Sequence, residues 1–260
     1  VLRLPVSGER ARWRPMTGED DIALADCAPG LLGALAFVSR SVVDADDRAI
    51  DAGALPVGDV DVLVLARRRE VRGDAFVAEG TCAHCGADVD VSFSLAAYAD
   101  HLRPRVPRGA RQDPDEPRWW TVSAGVQVRV PTVDDVLDAA AAEDPRALLL
   151  SRCVRPYPLT APVRVVERAM AALGPTLRSD VAGTCPECAR GVLLDVDARE
   201  MCLADLRFLA RAVYDDVHLI ASAYGWGSDE ILRMPTARRR RFAELIVGGA
   251  AHVLEEVGVG

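Results

Sequence analysis

The sequence predicts an α+β protein, predominantly helical, built as a diverged internal duplication that carries two small β-hairpin zinc knuckles. Three observations lead there. Gly80-Thr81-Cys82-Ala83-His84-Cys85-Gly86 and Gly183-Thr184-Cys185-Pro186-Glu187-Cys188 are matching Cys-x-x-Cys turns. Elements of the same type flank both turns in the same order. Between them, apolar residues recur at helical spacings of three and four.

Each half begins with a glycine turn and a strand. Ser7-Gly8 leads into a run ending at Arg14, and Ala124-Gly125 leads into Val126 to Val130. A helix start follows in both. Thr17 and Thr132 are suited to the N-cap, with Asp20 and Asp135 three residues on, where a carboxylate favours the positive end of a helix. A second helix pattern precedes each cysteine turn, over Asp59 to Arg72 and over Val163 to Leu173. After each turn come a strand and a cap: Val89 to Phe93 then Ser94, and Val192 to Val196 then Asp197.

The halves then diverge. The helix from Leu95 stops near Leu102, because Pro104 and Pro107 lie just beyond it. Its counterpart reads as one long helix from Asp197 to Tyr224, with Glu200 completing a capping box and Gly225 ending it. Ser228 to Leu232 reads as a short capped helix, and a last helix follows Pro235 through Leu245 to about Glu256. The expected organisation is therefore a first repeat over 1–103, a linker over 104–118, a second repeat over 119–225 and a C-terminal helical segment over 226–260.

A Cys-x-x-Cys turn supplies half of a tetrahedral zinc site, and neither turn has a second pair nearby. The expectation is one structural zinc shared by Cys82, Cys85, Cys185 and Cys188, which would tie the halves together. A redox pair or separate sites are the alternatives. Redox motifs usually open a helix after a strand, where the thiol pKa falls, whereas both turns here have strands on both sides. Such a metal contributes on the order of 10 kcal/mol or more to folding. His84 lies inside the first turn, but its counterpart is Glu187, so it is expected to be exposed and non-ligating. Cys27, Cys153 and Cys202 stand alone in apolar helical contexts. An odd total of seven cysteines fits a reduced, metal-binding protein better than a disulfide framework.

The apolar fraction of 50% suffices for a packed core, and the 5% aromatic content means Ala, Val and Leu build it. A net charge of −8 argues against general affinity for nucleic acid or anionic membrane. No uncharged apolar run reaches membrane-spanning length, and the start at Val1-Leu2-Arg3 is too polar for a secretion signal, so the expected location is cytoplasmic. No nucleophile elbow, phosphate loop or HExxH pattern occurs. Asp134-Asp135 and Asp215-Asp216 are adjacent pairs that diverge on a helix. His101, His218 and His252 sit on different helices, and His218 is expected to be buried. These readings give no enzyme and no small-molecule substrate.

Arg238-Arg239-Arg240-Arg241 marks either a partner contact or a solvated helix face, and at least one of the four must pack against the body. Trp226, just after Gly225, is expected to anchor the C-terminal segment. Of Trp119 and Trp120, alternating along a strand, one should be buried.

The C-terminal half carries Leu150-x-Arg152-Cys153-Val154, Glu167 to Pro175, Cys185-Pro186-Glu187-Cys188, Val217 to Ala221, Tyr224-Gly225-Trp226, Glu230 to Pro235 and Arg239 to Ile246. This series resembles the T4-type phage baseplate protein family of contractile phages and contractile injection systems. The resemblance covers about 120–247 most closely. It departs at Ala189, where a knuckle usually has Gly. It implies a non-enzymatic structural or assembly protein of a contractile tail-like baseplate, with hub or tape-measure proteins as partners, in the cytoplasm or within the assembled particle. It also leaves room for a tape-measure or tail assembly chaperone. A zinc-ribbon nucleic-acid binder is the alternative from another class, disfavoured by the acidic charge.

Overall fold

Alternation of buried and exposed residues along two seven-residue strand pairs sets the centre of the molecule. In a computed structural model, β4 (Ala75–Thr81) pairs antiparallel with β5 (Asp88–Ser94), and β10 (Arg178–Thr184) with β11 (Gly191–Asp197). Val192, Leu194 and Val196 point inward while Gly191, Leu193 and Asp195 point out. The structure describes residues 1–123, 125–158 and 162–257, with side chains as far as Gly248. Ala124 of the second glycine turn, and the side chain of His252, lie outside the described residues.

The first half runs β1 (Leu2–Arg3), β2 (Arg10–Trp13), α1 (Gly18–Ala25), α2 (Gly30–Ser41), β3 (Val42–Asp44), a 3-10 turn (Ala52–Ala54), α3 (Val57–Arg72), the β4–β5 hairpin and α4 (Leu95–His101). After β6 (Arg111–Gln112), the second half repeats the order. It runs β7 (Trp119–Ser123), β8 (Val126–Arg129), α5 (Val133–Ala140), α6 (Pro145–Cys153), β9 (Val154–Arg155), α7 (Val163–Leu173), the β10–β11 hairpin and α8 (Ala198–Ala210). The chain continues as α9 (Ala212–Tyr224), α10 (Ser228–Arg233) and α11 (Thr236–Val257). The strands outside the hairpins form antiparallel sheets ordered β1-β2-β3 and β6-β7-β8-β9. The fold is mixed α+β.

The caps explain where the helices start. The Thr17 amide donates to the Asp20 carboxylate at 2.9 Å, and the Thr132 amide donates to Asp135 at the same distance. Each reciprocal box satisfies amides that the helix itself leaves free. Ser94, Asp144 and Asp197 accept from the amide three residues on at α4, α6 and α8.

The expected single helix from Asp197 to Tyr224 is corrected to two, α8 and α9, separated at Arg211. Arg211 keeps helical angles, φ −61° and ψ −24°, so the interruption is local and the backbone stays helical in conformation. The two pieces differ in most of their partners: α8 packs on α3, α1 and α2, and α9 chiefly on α11 and α10, with α1 touching both. No Pro or Gly marks the break.

The principal core draws on both halves. Leu63 and Val64 of α3 join Leu194, Val196, Cys202, Leu203 and Leu206 from β11 and α8 in one buried cluster. Two ion pairs span the same seam. Buried Asp61 accepts from Arg199 at 3.0 Å and from the Leu177 amide at 2.9 Å. Buried Arg68 donates to Asp205 at 3.0 Å and to the carbonyls of Gly73 and Ala75. A smaller cluster, Val126, Val128, Val154, Val166, Ala169 and Leu173, lies wholly in the second half. The stretch over 104–118 is fastened to the second half: the Arg105 amide donates to Ala172 at 2.7 Å, and β6 pairs with β7.

Candidate metal centre

The two hairpins lie face to face, and two glycines permit it. A Cβ on Gly80 would come 2.5 Å from Leu194 Cδ2, and one on Gly183 would collide with Val91 Cγ2. Gly80 and Gly183 open matching segments, and Val91 and Leu194 each lie eleven residues further on. Each hairpin thus offers a glycine notch to the other's aliphatic residue. The contact is reciprocal, and it sets the tips in register.

The tips carry the cysteines. Within the first, the Cys82 amide donates to Ala87 at 2.8 Å and the Gly86 amide to Cys82 at 2.9 Å. Within the second, the Cys185 amide donates to Arg190 at 2.9 Å and the Ala189 amide to Cys185 at 3.0 Å. Gly86 adopts φ 75° and Ala189 φ 56°, so Ala189, where a knuckle usually has Gly, keeps the same left-handed turn. Ala accepts this conformation with some strain.

Across the tips, Cys82 Sγ lies 3.7 Å from Cys188 Sγ, and Cys85 Sγ lies 3.6 Å from Cys185 Sγ. All four sulfurs fall within 4.8 Å of one another. A tetrahedral zinc with Zn–S bonds of about 2.3 Å sets its sulfurs roughly 3.8 Å apart, so the donor set fits one metal ion in both chemistry and spacing. Cys82 and Cys185 are buried among Val89 and Val192, Cys188 is half-buried and Cys85 is exposed. The backbone amides of His84 and Cys85 pull the Cys82 thiol down to about 6. The Ala87 amide favours the Cys85 thiolate, but the crowding sulfurs of Cys185, Cys188 and Cys82, with burial, push it up to about 12. Four thiols in one small volume resist shared ionisation, and a cation placed among them relieves that repulsion.

His84 is exposed and outside the sulfur cluster, with Arg190 Nη1 3.2 Å from its Nδ1. His218 is exposed on α9, which corrects the expectation of burial: α10 and α11 cover the face holding Val213, Asp216 and Ile220. Cys153 and Cys202 are buried singly, and burial pushes both thiols up to about 12. Trp119 and Trp120 are both half-buried, so neither is the buried partner expected. Arg155 covers the Trp119 ring at 4.1 Å, and Trp120 rests on the second-half cluster.

The proposed partner residues separate into two environments. Arg238 and Arg241 are exposed and Arg240 is half-buried. Arg239 is fully buried, donating to Asp21 at 2.7 Å and Asp216 at 3.0 Å. Thr236 donates to the same Asp21 at 2.7 Å, and its amide to Met16 at 2.8 Å. The expectation that Arg239 contacts a partner is corrected: two carboxylates from the body hold it, and it locks α11 to α1 and α9. Trp226 is half-buried, stacked on Tyr224 at 5.0 Å and edge-on to Phe242 at 5.2 Å, with Arg238 over Phe242 at 5.7 Å.

Sequence reasoning missed a second matching constellation. Arg14 grips Asp20 with both terminal nitrogens and donates through Nε to the Arg40 carbonyl, while Arg40 also donates to Asp20. In the second half, Arg129 grips Asp135 and donates to the Arg152 carbonyl, with Arg152 3.8 Å from Asp135. The signal was present: Arg14 and Arg129 each precede the capping threonine by three residues.

Set against models of known families, against curated proteins and against solved structures, the chain finds no match in any of the three.

Proposed function

We propose that the protein is a non-enzymatic assembly component whose two halves are stapled by one structural zinc. One observation carries the reading: thiols from two hairpins about a hundred residues apart converge on a volume sized for a single ion. Thiolate-only tetrahedra select zinc or iron–sulfur chemistry, and two short knuckles with amides turned to sulfur suit zinc. Cys82, Cys85, Cys185 and Cys188 would hold the ion, which would supply a cross-link and no reaction step. The paired Arg–Asp clamps and the reciprocal glycine notches support the further reading that both halves derive from one duplicated unit with two zinc knuckles.

The aromatic cluster of Tyr224, Trp226 and Phe242, with Arg238 over Phe242 and exposed Arg241 next to Phe242 in the chain, has the composition of an interaction hot spot. With Arg239 holding its base, this C-terminal segment is the surface we assign to a partner. The resemblance to T4-type baseplate proteins gives the class: a structural or assembly protein of a contractile tail-like baseplate, with hub or tape-measure proteins as partners. Two experiments test it. Mass spectrometry of purified contractile particles from a producing strain should find the chain, and its absence from particles that require it would turn the reading to a chaperone. Arg238→Glu with Arg241→Glu, both exposed, should lower particle number in a complemented deletion strain, because an acidic partner would then face like charge. Normal particle numbers would make these arginines a solvated face.

A further inference from the structure

Of the seven cysteines, Cys85 alone is exposed; Cys27 and Cys188 are half-buried, and Cys82, Cys153, Cys185 and Cys202 are buried. A hydroperoxide arriving from solvent therefore meets Cys85 first. The sulfur 3.6 Å from it is that of buried Cys185, a hundred residues further along the chain in the opposite hairpin. Cys82 and Cys188 form the matching pair at 3.7 Å, again across the halves. A disulfide sets its sulfurs about 2.05 Å apart, so each pair would close by roughly 1.6 Å.

Contacts that do not pass through the sulfurs hold the two tips together. The reciprocal glycine notches lock the hairpin faces, and Val89 and Val192 pack among the cysteines. Arg190 of the second tip reaches to 3.2 Å from His84 of the first. The tips thus keep their register without an ion, and each cysteine keeps its neighbour in the other half. Chain entropy favours the same pairing. A link between residues 100 or 106 apart restricts the unfolded chain far more than one that closes a single Cys-x-x-Cys turn.

We infer that the cysteine centre is a redox-sensitive switch, in which hydroperoxide exchanges the metal staple for two cross-hairpin disulfides, first Cys85–Cys185 and then Cys82–Cys188. This regulation rests on the shared metal site proposed above. The Cys85 thiolate attacks one peroxide oxygen, the O–O bond breaks and hydroxide leaves, so that Cys85 is oxidised to a sulfenic acid. The Cys185 thiolate then attacks the Cys85 sulfur, the S–O bond breaks and a second hydroxide leaves as the disulfide forms. Two solvent protons convert both hydroxides to water. One peroxide has then taken two electrons from one cysteine pair, and a second peroxide does the same for Cys82 and Cys188. Once the first pair is oxidised, only two of the four thiolates that hold a structural ion remain, and the site gives up its metal. The halves stay tied throughout, and a dithiol reductant returns two electrons to each disulfide.

The full chain, purified without chelator and with its zinc already counted, is titrated with hydrogen peroxide. A chromogenic chelator reads released zinc, and samples quenched with iodoacetamide are mapped for disulfides by peptide mass spectrometry. The expected result is Cys85–Cys185 as the first disulfide, zinc release in step with it, and Cys82–Cys188 later. The product should stay a single chain on a non-reducing gel, and dithiothreitol with added zinc should restore the starting metal content. Disulfides within the turns, Cys82–Cys85 or Cys185–Cys188, overturn the inference. So do formation of Cys82–Cys188 first, links between chains, or thiols and zinc that survive excess peroxide intact. A purified chain without zinc would refute the shared staple itself, and the disulfide map of that same sample would still decide the cross-hairpin pairing.

Discussion

Replacing Arg239 by Ala should be the most damaging single change in the basic run. Its guanidinium is fully buried and makes charged hydrogen bonds to Asp21 and Asp216, whose own side chains are only 5% and 12% exposed. Charged hydrogen bonds contribute about 1.5–3 kcal/mol each. Breaking a buried pair by removing one partner costs about 3–5 kcal/mol, because the other charge is left uncompensated. We therefore expect a loss of about 3–5 kcal/mol, a large part of the roughly 5–15 kcal/mol that typical domains have. Arg241→Ala, exposed and paired among the described residues with exposed Glu244, should change stability by no more than about 0.5 kcal/mol. The assay is urea unfolding at fixed metal saturation, with amide exchange at Thr236 reporting release of α11 from Met16. Arg239→Met with Asp21→Asn and Asp216→Asn should recover much of the loss, since no charge is then stranded. If Arg239→Ala costs less than about 1 kcal/mol, the triad does not hold the segment and the reasoning fails.

Gly183→Ala should cost about 1–3 kcal/mol through overpacking against the stiff Val91, and Gly80→Ala less, because flexible Leu194 can yield; Val91→Ala should rescue Gly183→Ala in thermal unfolding. Ala189→Gly should raise stability by up to about 1 kcal/mol by relieving the left-handed turn, seen as a higher midpoint in the same measurement. Burial raises the carboxyls of Asp20 and Asp135, but Arg14 and Arg40 in one case and Arg129 in the other outweigh it and hold both below the ordinary range. A depressed folded pKa stabilises above the unfolded value of about 3.9, and this stabilisation is lost as pH falls through the folded value. The stability gap between wild type and Asp20→Asn with Asp135→Asn should accordingly shrink as urea titrations move from pH 5 toward the folded pKa, and a constant gap would contradict the clamps.

What the sequence disclosed was what local spacing encodes. The threonine caps, the strand on each side of both cysteine turns and the end of α4 ahead of Pro104 follow from contacts within a few residues. The pairing of Cys82 and Cys85 with Cys185 and Cys188 was legible as well, because two half-sites with no local complement leave few other solutions. Hidden were the features decided at long range. The break at Arg211 has no marker because Ala210-Arg211-Ala212 is good helix sequence, and what distinguishes the two sides is mostly the elements on which α8 and α9 pack. Four consecutive arginines point all round a helix, and which one turns inward depends on where Asp21 and Asp216 arrive from elsewhere in the chain.

The central claim is one zinc shared between the halves, and metal analysis with a ligand variant tests it most directly. Protein purified without chelator should contain one zinc per chain by elemental analysis. Cys185→Ser should lower that content and also release amide protection over Val89 to Phe93 in the opposite hairpin. Absence of zinc, two zincs per chain, or unchanged protection at Val89 to Phe93 in the variant would contradict the shared site.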